Sequence, residues 1–238
     1  VTAVTGPARL RLALVLLAIA SGATDAFAFL LLGGIFTANM TGNLVLLGLY
    51  PRSAWLTTAA GAVTAIVFFA GAVYAGFRTT RARTPSTGDG RRPLRAIALV
   101  GVVLQLAVAV AWPTVQGGTS LLVDCAFIAT SAAALGLQTV LAKRISGAAG
   151  LTTTFVTGTL TSLMQELAER SSGSRALQAL IVASLAVGAV IGAATVTLAP
   201  DWAPTPALVL SALAVVLLFA RRTRAVPAGA EPGAPRPA

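Results

Sequence analysis

Six apolar runs of 17–25 residues each, at about 10–33, 54–77, 95–115, 119–142, 175–199 and 204–220, constrain this chain more than any other feature. At ~1.5 Å of helical rise per residue, each is long enough to cross a hydrocarbon layer ~30 Å thick. The rest of the composition agrees. Of the 238 residues, 56% are hydrophobic and only 10% charged, with a mean hydropathy of +0.86. A soluble domain needs roughly a quarter of its residues charged to cover its surface. The expected fold class is an all-α membrane protein with six transmembrane helices, because a helix satisfies its backbone within its own segment and so survives in lipid.

The net charge of +10 would suggest nucleic acid in a soluble protein, but the placement of the charges argues against it. Six arginines lie between Arg78 and Arg95, three more are Arg221, Arg222 and Arg224, and the others flank apolar runs. No basic patch is interleaved with aromatic residues, so nucleic acid is not expected as a partner. Basic residues confined to short connections mark the cytoplasmic face of a membrane. Arg9 and Arg11 precede Leu12–Ala20, and Ala18-Ile19-Ala20 resembles a cleavage site, yet apolar character resumes from Ala26 to Leu32. An uncleaved first helix is therefore expected.

Two further segments are too short or too polar to face lipid. Phe36–Leu49 carries Thr37, Asn39, Thr41 and Asn43, and Thr152–Leu167 carries six threonines and Glu166. With Arg9, Arg11, the 78–95 loop, Lys143, Arg144, Arg170 and Arg175 all on one side, neither segment has room to cross. Both are expected to be broken or re-entrant. Only Arg52 falls on the opposite side, and both termini are expected in the cytoplasm. Met40-Thr41-Gly42-Asn43-Leu44 then has a counterpart in Val156-Thr157-Gly158-Thr159-Leu160. The expected architecture is two inverted three-helix repeats, about 10–115 and 119–220, each with one extra short broken helix. They form a single membrane domain over 1–224, followed by a Pro, Gly and Ala-rich tail at 225–238 expected to be disordered.

These polar residues are the candidates for chemistry. A discontinuous helix exposes hydroxyls, amides and free backbone groups that can replace water around a solute. The candidate substrate-binding set is Asp25, Asn39, Thr41, Gly42, Asn43, Gln138, Thr157, Gly158 and Thr159. Asp25 lies among apolar residues of the first span, where a carboxylate costs about 2.5–3.5 kcal/mol and should face the bundle interior. Gln138 occupies in the second half the neighbourhood that Asp25 has in the first. Asp124 lies near the outer end of its span and Gln105 stands alone. The competing role for every one of these groups is to join helices by hydrogen bonds.

No enzyme is expected. The chain has no histidine and one cysteine, Cys125, which leaves no metal set, no His-based hydrolase and no internal disulfide. Asp25 and Asp124 sit in ATDAF and LVDCA, without the Gly-x-Gly-Asp element of an intramembrane aspartyl protease. There is no phosphate-cradling glycine loop, and no cofactor is expected.

Gly22-Ala23-Thr24-Asp25-Ala26, Gly33, Phe36 and Ala38-Asn39-Met40-Thr41-Gly42-Asn43 with Gly48 resemble the N-terminal motif of the bacterial YoaK family, also called domain-of-unknown-function family 1275. Ala134-Leu135-Gly136-Leu137-Gln138 and Thr153-Thr154-Phe155-Val156-Thr157-Gly158-Thr159-Leu160-Thr161 resemble its second motif. Thr139 stands where the family usually has asparagine. The resemblance spans about residues 10–220 and implies a six-span protein of the bacterial cytoplasmic membrane. It brings no substrate with it.

The function expected from the residues is a secondary transporter or facilitator of a small solute or ion. Its site would be formed by the paired Thr-Gly-Asn and Thr-Gly-Thr elements meeting beside Asp25. The alternative is a non-transporting membrane scaffold or accessory subunit. The lipid bilayer is the obligatory partner, and a homo-oligomer is compatible with either role.

Overall fold

The computed structural model describes residues 8–81, 88–115, 120–146, 156–168 and 175–220. These residues form eight helices and no strand: α1 (Ala8–Leu31), α2 (Met40–Gly48), α3 (Trp55–Thr79), α4 (Gly88–Ala111), α5 (Leu121–Ser146), α6 (Val156–Ala168), α7 (Arg175–Leu198) and α8 (Thr205–Phe219). Six are long and apolar enough to cross a membrane, and they match the six apolar runs. The tail expected at 225–238 lies outside the described residues.

One boundary departs from expectation. The stretch 78–95 is not wholly a loop, because α4 begins at Gly88 and includes Pro93. Leu94, Ile97 and Ala98 are buried in a cluster with Leu17, Leu137 and Leu141, and this packing carries the helix upstream of the apolar run.

Helices α1 and α5 form the centre. They are the most buried of the six long helices, and the other four surround them. The outward stripes are apolar. Leu99, Val103, Leu106 and Val110 of α4, and Val209, Leu213 and Val216 of α8, recur at helical spacing and are exposed, as lipid contact requires.

Small residues draw α1 and α7 together. Gly22 faces Leu185 and Ala189, Gly188 faces Ile19, and Gly192 faces Ala23 and Ala26, so the two helices run parallel. A Cβ on Gly22 or Gly188 would overlap the carbonyl oxygen of Leu185 or Ile19, and one on Gly192 would come within 2.6 Å of Ala23 O. In lipid, where no hydrophobic force joins helices, this close backbone approach supplies the packing energy. Helices α3 and α5 also run parallel, with Gly61 near Ile128, Gly136 near Phe69 and Gly76 near Val140.

By contrast, α1 and α5 are antiparallel. Leu17 O accepts from Gln138 Nε2 at 2.8 Å. Toward the other end, Trp112 joins Phe27 and Phe127 edge to face, at centroid distances of 4.8 and 5.4 Å. With α3 and α4 between them in the chain, α1 and α5 can oppose each other only if α2 begins and ends on the same side. The same count from α5 to α7 keeps α6 on one side.

The directions also sort the charges. Ala13, Leu94, Leu141 and Val215 share a cluster, which brings together the starts of α1 and α4 and the ends of α5 and α8. Arg144 at this end donates to Thr80 Oγ1 at 3.1 Å and lies over Phe77. Arg9, Arg11, Arg78, Arg92, Arg95 and Lys143 belong to the same end, whereas Arg52 follows α2 at the other. There Trp112 Nε1 donates to Pro200 O at 2.8 Å, joining the turn after α4 to the turn before α8. Trp112→Phe should lower stability by about 1 kcal/mol through loss of this bond, read as a lower midpoint of thermal unfolding in detergent.

Candidate functional site

The chain leaves α1 at Leu31 and doubles back. Gly33 and Gly34 have φ of 82° and 77°, a left-handed conformation that glycine adopts without a Cβ penalty. Residues 35–39 then return alongside α1 without helical structure until α2 begins at Met40. Their backbone groups need partners, and two side chains provide them.

Asp25 is the first. Its Oδ1 accepts from Thr37 N at 2.7 Å, Thr37 Oγ1 at 2.9 Å and Ala38 N at 2.9 Å. Asp25 lies six residues before the end of α1, so the returning segment reaches ~9 Å back along that helix. Oδ2 takes no donor among the described residues. Asn43 is the second. Its Nδ2 donates to Phe36 O at 2.6 Å and its Oδ1 accepts from Phe36 N at 3.0 Å, a two-point clasp of one residue's backbone by a fully buried amide.

Asn39 caps α2, its Oδ1 accepting from Gly42 N at 3.2 Å. Gly42 has its own reason to lack a side chain. A Cβ there would stand 2.9 Å from Asn39 Nδ2 and 3.0 Å from the Phe36 ring. The far end of α2 is tied to α3 by Trp55 Nε1 donating to Leu47 O at 3.1 Å.

A cavity of about 430 Å³ opens beside this arrangement. Asp25, with Gly22, Ala26, Phe29 and Leu30, supplies the α1 wall. Phe36, Ala38, Asn39, Met40 and Thr41 supply a second, and Leu185, Ala189 and Ala193 of α7 a third. Phe29 and Phe36 stack at 4.9 Å with 27° between their planes. The chamber is thus apolar and aromatic, with a carboxylate in its wall and the exposed Asn39 and Thr41 at its edge.

Of the residues expected to bind solute, Asp25, Asn39 and Thr41 line this cavity. Gly42 and Asn43 support it from behind. Gln138 does not belong to it. Because α5 opposes α1, Gln138 meets α1 at Leu17, eight residues or ~12 Å from Asp25 along the helix. Gly158 and Thr159 do not line it either: α6 packs on α7 and follows the end of α5 that lies away from α2. The side chain of Thr157 lies outside the described residues. The two Thr-Gly elements therefore do not converge on one chamber as expected, since α2 follows one end of the bundle and α6 the other. Asp124 is on the first turn of α5, also away from the cavity.

The sequence reading missed the α7 wall. Its signal was Gly188-x-x-x-Gly192, a small-residue spacing that marks a close helix crossing and fixes which α7 residues flank Gly22. It also passed over Ser21 Oγ and Ser211 Oγ, which, like Oε1 of the lone Gln105, are buried without a hydrogen-bond partner. Gln105 borders two voids of about 10 Å³, each the size of a single water.

A family model described as "Protein of unknown function (DUF1275)" matches residues 13–219. The UPF0700 transmembrane protein YoaK of Bacillus subtilis (strain 168) is 32% identical over 156 residues, 65% of this chain and 66% of that protein. The match thus covers just under two thirds of the relative's length. No solved structure matches. With six apolar helices and a transmembrane relative, the chain is a multi-pass membrane protein in contact with the bilayer.

Proposed function

The chain belongs to the DUF1275 family, described as proteins of unknown function, and from the geometry of its site we propose that it is a secondary transporter or facilitator of a small solute. The observation that carries this is a carboxylate within a membrane-spanning helix, beside an interrupted segment, facing a cavity of about 430 Å³. A carboxylate is costly in lipid, and a neutral oxygen could meet the same three donors to Oδ1, so the acid itself is what a solute role accounts for. The solute site is Asp25 with Asn39 and Thr41, and the role is non-catalytic.

An inverted repeat belongs to the same proposal. Exchanging α1 with α5, α2 with α6, α3 with α7 and α4 with α8 maps the main packing pairs onto one another: α1–α7 onto α5–α3, α1–α8 onto α5–α4, α2–α3 onto α6–α7. Gly136 against Phe69 O repeats Gly22 against Leu185 O. Such halves support alternating access by rocking. The basic end, which holds the start of α1, is assigned to the cytoplasm, with both termini there and the Asp25 cavity toward the outer face.

One observation favours the rival role of a scaffold or accessory subunit. Asp25 Oδ1 and both ends of the Asn43 amide are committed to the chain's own backbone. Flux separates the two roles. Proteoliposomes would be tested with cationic, neutral and anionic solutes of up to about ten heavy atoms, well within the cavity range of small-molecule sites. At least one should cross faster than in protein-free vesicles, and Asp25→Asn should slow it about tenfold, the effect of losing one charge-assisted bond. No flux for any member of the panel overturns transport and leaves the scaffold.

A further inference from the structure

The Asp25 cavity carries charge of one sign only. Its walls contain the Asp25 carboxylate and no lysine or arginine. The three donors to Oδ1 come from Thr37 and Ala38 and hold the carboxylate in one orientation, while Oδ2 receives no donor among the described residues. A carboxylate without a counter-charge is unfavourable at this depth, so a cation that pairs with Asp25 is favoured here over any other charged ligand.

The surroundings say what kind. An inorganic cation wants a shell of oxygens, and among the described residues no group of three His, Cys, Asp or Glu side chains could hold a metal. Most of the wall is apolar instead, with Phe29 and Phe36 stacked beside the acid. Aromatic faces attract organic cations. An anion would meet the carboxylate with no compensating base. The volume, about 430 Å³, falls in the range of small-molecule sites.

We propose that the cavity binds an organic monocation: an ammonium group donating to Asp25 Oδ2, on a compact apolar body that lies against Phe29 and Phe36. This deepens the solute-site reading above and rests on the same cavity. The ammonium can belong to a free amine or to a lipid headgroup, and the chemistry of recognition is shared.

The test reads occupancy rather than transport. Met40→Cys, in the partly exposed wall of the cavity and outside the proposed solute-binding set, is introduced together with Cys125→Ser, and the protein is placed in nanodiscs. Alkylation by an uncharged maleimide is then timed with benzylammonium, benzyl alcohol or benzoate present. Benzylammonium should protect the thiol at a concentration at least about tenfold below benzyl alcohol, the difference a charge-assisted bond makes, and benzoate should not protect. Asp25→Asn keeps an oxygen for Thr37 and Ala38 but puts an amide donor at the Oδ2 position, so it should abolish the preference for the amine. Equal protection by amine and alcohol overturns the proposal, and that comparison stands even if Asp25→Asn does not fold. A preference for the amine that survives Asp25→Asn overturns it too.

Nanodiscs of phosphatidylglycerol, with and without phosphatidylethanolamine, separate the sources. Slower labelling with phosphatidylethanolamine, and no further effect of added amine, assigns the ammonium to the headgroup. Protection without flux retains this inference and discards transport. Flux of neutral solutes with no preference for the amine does the reverse.

Discussion

Gly22→Leu should leave almost no correctly assembled protein in the membrane. The α1–α7 crossing has no space at that position: even a Cβ would overlap Leu185 O and stand 2.9 Å from Ala189 N. These are backbone atoms, so no rotamer change relieves the contact and the helices must separate. Overpacking of a close-packed site costs about 1–3 kcal/mol and occasionally more. Here the whole crossing is displaced, and a loss of about 3 kcal/mol or more is expected. Gly71→Ala on α3 is the control, since nothing lies within 4 Å of its added Cβ. It should be neutral or stabilising by about 0.5–1 kcal/mol, because alanine favours helix. Thermal unfolding and size-exclusion profiles in detergent read both variants. A Gly22→Leu protein as stable and monodisperse as the wild type would refute the crossing.

Asn43→Leu is the second large effect. Leucine has similar bulk but cannot pair with the Phe36 backbone, whose N–H and C=O would both lose their partner at a fully buried side chain. Each orphaned group costs about 1–3 kcal/mol, so a loss of about 3 kcal/mol is expected, with the 35–39 segment released from α1. Asn39→Ala removes a single cap bond at an exposed position and should cost only about 1 kcal/mol. The two asparagines, four residues apart, are thus predicted to differ severalfold in a thermal-unfolding series. Equal losses would show that the Asn43 clasp does not hold the segment.

That contrast shows how far the polar motif could be read without coordinates. Threonine, asparagine and glycine clustered in a stretch too short to span announce an interrupted helix, because open backbone at depth needs polar partners or a cavity beside it. Which asparagine lines the cavity and which clasps the Phe36 backbone depends on a fold-back at Gly33 and Gly34 that places Asn43 opposite Phe36. Asp25 was legible as a costly charge. Its three donors were not, because they sit twelve and thirteen residues away and reach it only after the chain reverses. Gln138 was misplaced by a likeness of motif, since equivalent positions in oppositely directed helices need not meet.

The amino-acid sequence alone determined the solvent, the number of spans, the two segments that stop short and the end that collects positive charge. These follow from the transfer of each segment into lipid, a property that residues contribute one by one. Tertiary structure alone decided that α7 closes the Asp25 cavity, that α6 stays away from it, and that one oxygen of the carboxylate is spent on the chain itself. Helix pairing in lipid lacks a hydrophobic drive and turns on backbone approach at a few small residues. Its energy belongs to pairs of surfaces, and no single stretch of sequence contains it.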